Sequence, residues 1–367
     1  MIGLREIRRR KTQFALIAIV VALISYLVLM INGLGVGLNL AAGSALRSFN
    51  ADALAYSDES GISVIRSELG QATVDRAASL AGVEAAAPLG YVAANYRAAD
   101  GTISSAAFLG YDPGTIAEPP VTAGRPLTPA DGRGLLADRT FLRASGLAVG
   151  DTVQVTVRLV TMEFTIVGEI DEGQFFFQPA VYLLRDTWRE LKYGANAGDG
   201  PVASIVLLQG DGLPGTRGEG FEVVSKSTAF ANIEGVSGQQ STVMFLRFFG
   251  YLIGALVIGV FFYVLTLQKV PNIGVLKALG ASNAFVFRQL LVQAIAVAAV
   301  GLAIALPLAY LTNRGLEQLP DPVPIAFTSG TWLTTSLLLV LMSLVGTLFS
   351  GRQVLRVDPI IALGQQQ

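Results

Sequence analysis

The sequence predicts a membrane protein of four transmembrane α-helices, with a large α+β extracytoplasmic domain inserted between the first helix and the second. Three observations predict it. Of the 367 residues, 52% are hydrophobic and only 14% charged, too apolar for an ordinary soluble chain and too charged to lie wholly in lipid. Four uncharged runs, Phe14 to Leu34, Phe248 to Leu267, Leu290 to Leu311 and Trp332 to Phe349, approach or exceed the roughly 20 residues that cross a hydrocarbon core. The long stretch from Ser44 to Gln240 is acidic, with 14 Lys/Arg against 23 Asp/Glu, whereas the short segments flanking the spans are basic.

That charge asymmetry sets the orientation. Arg5, Arg8, Arg9, Arg10 and Lys11 precede the first span, Lys269, Lys277 and Arg288 separate the second from the third, and Arg352 and Arg356 follow the fourth. The loop between the third and fourth spans has Arg314 as its single basic residue. By the positive-inside rule both termini are cytoplasmic and Ser44 to Gln240 lies outside. A plasma-membrane location follows, with residues 1–43, 44–240 and 241–367 as the natural divisions. The basic start and the small-residue run Ala41 to Ala45 also suit a secretory signal, but the apolar core outlasts the ~7–15 residues of one, so a spanning helix is expected.

Composition also narrows the chemistry. Cysteine and histidine are absent, which removes disulfides, zinc sites and the commonest nucleophiles and general bases. No metal site, catalytic residue or intrinsic cofactor is expected. A membrane hydrolase would need paired carboxylates, and no acidic spacing singles out a pair. No basic, aromatic-interleaved surface points to nucleic acid. The spans as delimited hold no Asp, Glu, Lys or Arg, which argues against ion-coupled transport, and no G-x-x-x-x-G-K-[ST] loop is present to bind ATP.

Taken in order, the first span ends in a stripe at helical spacing, Tyr26, Met30, Gly33 and Gly37, whose glycines invite close approach by another helix. The outer stretch opens with predicted strands at Ala53 to Tyr56 and Ile62 to Ile65 and a helix at Ala72 to Leu80. Strands at Tyr91 to Tyr96 and Ile103 to Leu109 flank the turn dipeptide Asp100-Gly101. A strand and helix share Gly134 to Ala144, and further strands follow at Thr152 to Leu159, Phe164 to Ile170, Ala180 to Leu183, Ala203 to Leu208 and Phe221 to Val224. Mixed strands and short helices make an α+β domain.

Within it Glu169, Asp171 and Glu172 precede Phe175-Phe176-Phe177. In extended chain three successive rings cannot share one core face. At least one is expected to meet solvent, lipid, a partner or a ligand, the alternative being one ring inward and its neighbours covered by a helix. Glu169 and Phe176 are the candidate substrate contacts here.

The second span carries Gly250-xxx-Gly254, a packing pair, and the third carries Pro307, expected to kink or end its helix. Between them lies TLQKVPNIGVLKALGAS, Thr266 to Ser282. Pro271 suits the first turn of a separate short helix over 271–281. Ile273, Leu276 and Leu279 form a stripe, Lys277 lies off it, Gly280 closes the helix, and Ser282 or Asn283 caps the next. An apolar stripe at the cytoplasmic face needs either a partner groove or the inner leaflet.

NIGVLKALGAS, Asn272 to Ser282, resembles the "EIGVLRALGAS" signature of the FtsX/MacB-like permeases of ABC transporters. GRQVLRVDPIIAL, Gly351 to Leu363, resembles that family's closing element, and LREIRRRKTQFAL, Leu4 to Leu16, its interfacial N-terminal helix. SGLAVGDTVQV, Ser145 to Val155, is similar to part of its MacB-like extracytoplasmic core. The wording around Thr266 to Lys269 looks closest to the haem-efflux (HrtB-like) branch.

The resemblance implies a permease homodimer served by two copies of an ABC ATPase that carries ATP and magnesium, set among membrane lipids. It implies that Pro271, Ile273, Leu276, Lys277, Leu279 and Gly280 dock the ATPase. It also implies export of an amphiphile, haem among the options. Without histidine, haem iron would need Tyr, Met, Lys or a carboxylate, which makes Tyr26 and Met30 candidate contacts. The alternative from another functional class is a permease that drives an extracytoplasmic hydrolase or adaptor and transports nothing.

Overall fold

A computed structural model describes residues 11–158, 160–171, 173–194, 198, 200–319 and 323–355. The basic run before Lys11, Leu159, Glu172 and the closing residues 356–363 lie outside that set, as do the side chains of Lys269, Asn272 and Leu276. The chain divides into a membrane unit, residues 1–37 and 241–367, and an outer unit, Leu38–Gln240. The outer unit begins before the expected Ser44 because Ala42, Ala45 and Leu46, at the end of the first helix, are fully buried in its core.

The outer unit is a twelve-stranded sheet with short helices. Its elements are β1 (Ala53–Tyr56), α2 (Gln71–Ala78), β2 (Val83–Arg97), β3 (Ile103–Tyr111), β4 (Val121–Gly124), β5 (Gly134–Asp138), α3 (Arg139–Ser145), β6 (Thr152–Val157), β7 (Val160–Ile170), β8 (Gln174–Phe175), β9 (Gln178–Leu184), α4 (Arg185–Tyr193), β10 (Ile205–Gly210), β11 (Arg217–Gly218), β12 (Phe221–Ser225) and α5 (Lys226–Ala231). They are preceded by the first long helix, α1 (Lys11–Ser48).

Strand order is β11-β12-β1-β10-β2-β3-β9-β5-β7-β4, antiparallel except for β3 with β9 and β5 with β7. β6 pairs with both β2 and β7, so part of the sheet closes on itself. The helix ends follow from their caps. The buried Asp138 carboxylate accepts from the Phe141 amide and, at 3.2 Å, from the Ala180 amide, which tethers the start of α3 to β9. Gly146 ends α3 in the left-handed region. Trp188 of α4 is fully buried over the cross-strand pair Gly90 and Gly110, where any side chain would collide with the indole.

The sequence places β1, α2 and the β2–β3 hairpin correctly. The expected strand over Ile62 to Ile65 is absent: Ile62 has φ 59° and residues 61–66 turn, with the Ser63 hydroxyl donating to the Glu234 carboxylate. The expected extended run of phenylalanines is also absent. Phe176 (φ 52°) and Phe177 (φ 61°) form the two-residue loop between β8 and β9. This is the backbone of a type I′ hairpin turn, which usually carries Asn-Gly.

The membrane unit contains the inner part of α1 with α6 (Val236–Ala278), α7 (Asn283–Leu316) and α8 (Ser329–Leu355). Four stretches are long and apolar enough to cross a membrane: Phe14–Ser48, Gly238–Gln268, Asn283–Leu316 and Ser329–Leu348. They overrun the apolar runs of the sequence, so Arg247 falls within the second. Pro307 lies inside α7, which continues to Leu316, so the proline does not end the helix.

Seams between helices are set by small residues. Gly254 faces Ile24 and Met342, Gly250 faces Ile31, and Gly259 meets Gly346 backbone to backbone. Gly33 and Gly37 differ from expectation: their open faces receive the irregular segment 324–327, not a helix, and the Ala326 amide donates to the Gly33 carbonyl at 3.0 Å.

Candidate functional site

The turn between α6 and α7 is the first candidate. α6 is continuous through Pro271 to Ala278, so the expected separate helix over 271–281 is the end of α6. Pro271 omits one donor to the preceding turn but keeps helical backbone on both sides. The helix closes at Gly280 (φ 91°), whose amide donates to the Lys277 carbonyl at 3.0 Å. Ser282 caps α7 by accepting from the Phe285 amide at 3.3 Å.

The stripe read from the sequence divides. Ile273 is buried against Val286 and Leu290 of α7, so it locks the turn within its own chain and is withdrawn from any docking surface. Leu279 is 80% exposed, and Val275 and Phe285 are exposed beside it in sequence. Pro271 and Gly280 are exposed and Lys277 is half-buried. Phe285 was not among the expected docking residues. Its signal is an aromatic in the first turn after a serine cap, where exposure is costly unless something covers it.

Tyr26 and Met30 occupy a helical seam of the membrane unit. The Tyr26 hydroxyl donates to Thr312 Oγ1 at 3.2 Å. Both side chains are half-buried against Leu29, Ala305 and Ala309, with Leu306, Phe327 and Trp332 alongside. Packing and one hydrogen bond account for both residues.

Nearby in the same unit, Asn32 Nδ2 donates to the Tyr251 hydroxyl at 2.8 Å and to Thr335 Oγ1 at 3.2 Å, while Arg247 Nη2 donates to the Asn32 carbonyl at 3.3 Å. This polar knot ties α1, α6 and α8 together inside an apolar bundle. The sequence signal for it is a lone Asn in the first apolar run and an Arg and Tyr at i, i+4 at the edge of the second.

Glu169 and Phe176 belong to the outer unit. Glu169, on β7, accepts from Arg139 Nε at 3.1 Å, and Arg139 also approaches Asp171 at 3.5 Å, so an exposed ion-pair cluster accounts for this carboxylate. Phe176 leans on Tyr91, ring centres 5.0 Å apart, and edges onto Phe175 at 4.6 Å. Phe175 is buried, Phe176 half-buried and Phe177 40% exposed, so the rings separate as the crowding argument requires. Burial, with Glu234 nearby, pushes the Tyr91 phenol up to about 12.

The hairpin grips the end of α1. The amides of Phe176 and Phe177 donate to the carbonyls of Ala42 (3.0 Å) and Ala41 (2.9 Å), and the Gln174 amide donates to Ser44 Oγ at 2.8 Å. These carbonyls border Gly43, where α1 departs from helical geometry (φ −170°, ψ 40°), so the hairpin supplies donors to carbonyls at the break.

Comparison with known proteins gives two family matches. Residues 14–211, more than half of the chain, match the MacB-like periplasmic core domain, and residues 244–359 match the FtsX-like permease C-terminal region. A Staphylococcus haemolyticus protein named as a hemin transport system permease, HrtB, is 28% identical over 223 residues, covering 61% of this chain and 61% of that one. The chain thus spans about three fifths of that relative's length. An uncharacterized ABC transporter permease of Mycobacterium tuberculosis is 24% identical over 99% of this chain and 98% of its own. Among solved structures, the extracellular domain of the ABC-type transporter YknZ from Gram-positive bacteria aligns at 15% identity and a TM-score of 0.34, covering 48% of this chain and all of that domain.

Proposed function

Since the chain belongs to the permease family that joins a MacB-like periplasmic core to an FtsX-like C-terminal region, we propose that it is the transmembrane subunit of an ABC-type efflux complex. In this reading two copies of the chain pair with two ATPase subunits, which hold ATP and magnesium, and the permease itself performs no chemistry. The observation that carries the reading is the α6–α7 turn. It is braced from within by Ile273 on Val286 and Leu290, yet it presents Leu279 outward on the side that the positive-inside rule assigns to the cytoplasm. A braced turn with an exposed apolar tip suits a docking element that transmits displacement into both of its helices. Closure of the ATPases would push the turn, shift α6 and α7, and move an amphiphile from the membrane outward.

Haem is one such amphiphile, suggested by the relative named for hemin transport. Tyr26 and Met30 remain candidate contacts only if the seam they fill opens during transport.

Leu279→Glu should reduce permease-stimulated ATP hydrolysis by the reconstituted complex at least about tenfold, the size expected for a charge placed in an interface anchor. Unaltered stimulation in a correctly inserted variant would remove the turn from the docking surface. Haem tolerance of cells with and without the chain then separates haem from other cargo.

A further inference from the structure

The outer ends of α7 and α8 border an open groove of about 670 Å³, within the ~300–1,000 Å³ range of ligand clefts. On α7 it is lined by Leu306, Pro307 and Tyr310, and on α8 by Ser329, Trp332, Leu333 and Ser336. One turn beyond Tyr310 on the same face stands Arg314, whose Nε donates to the Tyr310 hydroxyl at 3.1 Å and whose guanidinium carbon lies 5.4 Å from that ring's centre. The Nη nitrogens form no hydrogen bond among the described residues. Glu317 follows one turn later. One of its oxygens accepts from Asn313 Nδ2 at 2.7 Å, and the second is available.

The heights match those of a lipid. At 1.5 Å per residue, Leu306 lies about 15 Å along the axis below Leu316, roughly one leaflet of hydrocarbon. The apolar groove therefore falls at acyl-chain depth. On the same scale Tyr310 lies about 9 Å below Leu316, whereas Arg314 lies about 3 Å below it and Glu317 at its level, so the two charges stand at the headgroup boundary above the groove.

We propose that this groove binds an amine-bearing zwitterionic phospholipid of the outer leaflet. One acyl chain fills the groove, the phosphate takes the Nη fork of Arg314, and the ammonium group pairs with Glu317. The cation followed by an anion, in order from groove to solvent, matches the order of phosphate and amine in such a headgroup. An anionic headgroup without an amine would satisfy Arg314 and be repelled by Glu317. The proposal requires neither the cargo nor the ATPase, although Leu306 and Trp332 also pack beside Tyr26 and Met30.

The test uses the full chain in a neutral detergent, titrated with phosphatidylethanolamine, phosphatidylglycerol or diacylglycerol and read by native mass spectrometry. Phosphatidylethanolamine should bind most tightly. Arg314→Gln should weaken it about tenfold, the loss of one charge-assisted contact. Glu317→Gln should erase the preference over phosphatidylglycerol while binding persists, and Ser336→Phe, which fills the groove, should remove both. Both charge changes lie on an exposed helix end, and an unchanged thermal unfolding profile verifies their folding. Equal binding by Arg314→Gln and the unaltered chain, tighter binding of phosphatidylglycerol, or equal binding of diacylglycerol would each overturn the proposal.

Discussion

The outer unit and the membrane unit are built from the same apolar vocabulary and use it in opposite directions. In the outer unit large apolar side chains point inward: Tyr56, Phe108, Phe141, Phe164, Tyr182 and Trp188 are fully buried, and among its described residues only Leu40, Ile65, Ile103, Val149, Val160 and Phe177 are large, apolar and exposed. In the membrane unit α6 alone exposes Met244, Phe245, Phe248, Phe249, Leu252, Ile253 and Leu256. There the polar groups turn inward, as in the knot of Asn32, Tyr251 and Thr335. Water drives the first arrangement by expelling apolar surface. Lipid tails are as apolar as leucine, so the second is held by close packing at Gly254 and Gly259 and by hydrogen bonds that have no water to compete with them.

If that contrast is right, the largest loss comes from emptying the water-driven core. Trp188→Ala should cost the outer unit about 3–5 kcal/mol, since the indole fills the space that Gly90 and Gly110 leave for it. Denaturant unfolding of the full chain, followed by near-ultraviolet circular dichroism, measures it. A loss below ~1 kcal/mol would mean that the closed part of the sheet repacks.

A smaller loss is expected where the bilayer, not water, is the solvent. Asn32→Ala should cost the membrane unit about 0.6–2 kcal/mol, with the outer unit's transition unmoved. Detergent-denaturation curves check this, and an effect as large as that of Trp188→Ala would erase the distinction. The smallest effect should carry the opposite sign. Phe177→Gly relieves a left-handed bulky residue at little packing cost and should stabilise the outer unit by about 1 kcal/mol. Destabilisation would show that the exposed ring packs against something.

Much of this was legible in the sequence because periodicity reports local geometry. The four spans, β1, α2 and the hairpin at Asp100-Gly101 all follow from pattern and turn chemistry. What failed depended on identifying the neighbour. Ile273 and Leu279 share a helical spacing in the sequence, but spacing cannot distinguish a partner's groove from Val286 and Leu290 on the next helix of the same chain. Gly33 and Gly37 do mark close approach, but of an irregular segment carrying Pro324. Pro271 carries the same letter whether it begins a helix or rides within one. Ile62 in the left-handed region and two phenylalanines in a turn usually given to Asn-Gly are tertiary overrides of local preference, invisible until long-range partners are known.

The grip of the β8–β9 loop on the end of α1 determines where torque applied to that helix is delivered. Its load path runs through the Ala41, Ala42 and Ser44 attachments into β9, which is bonded to β3 on one side and β5 on the other. A twist of the helix terminus therefore enters the sheet through the two-residue β8–β9 loop and reaches both neighbours of β9.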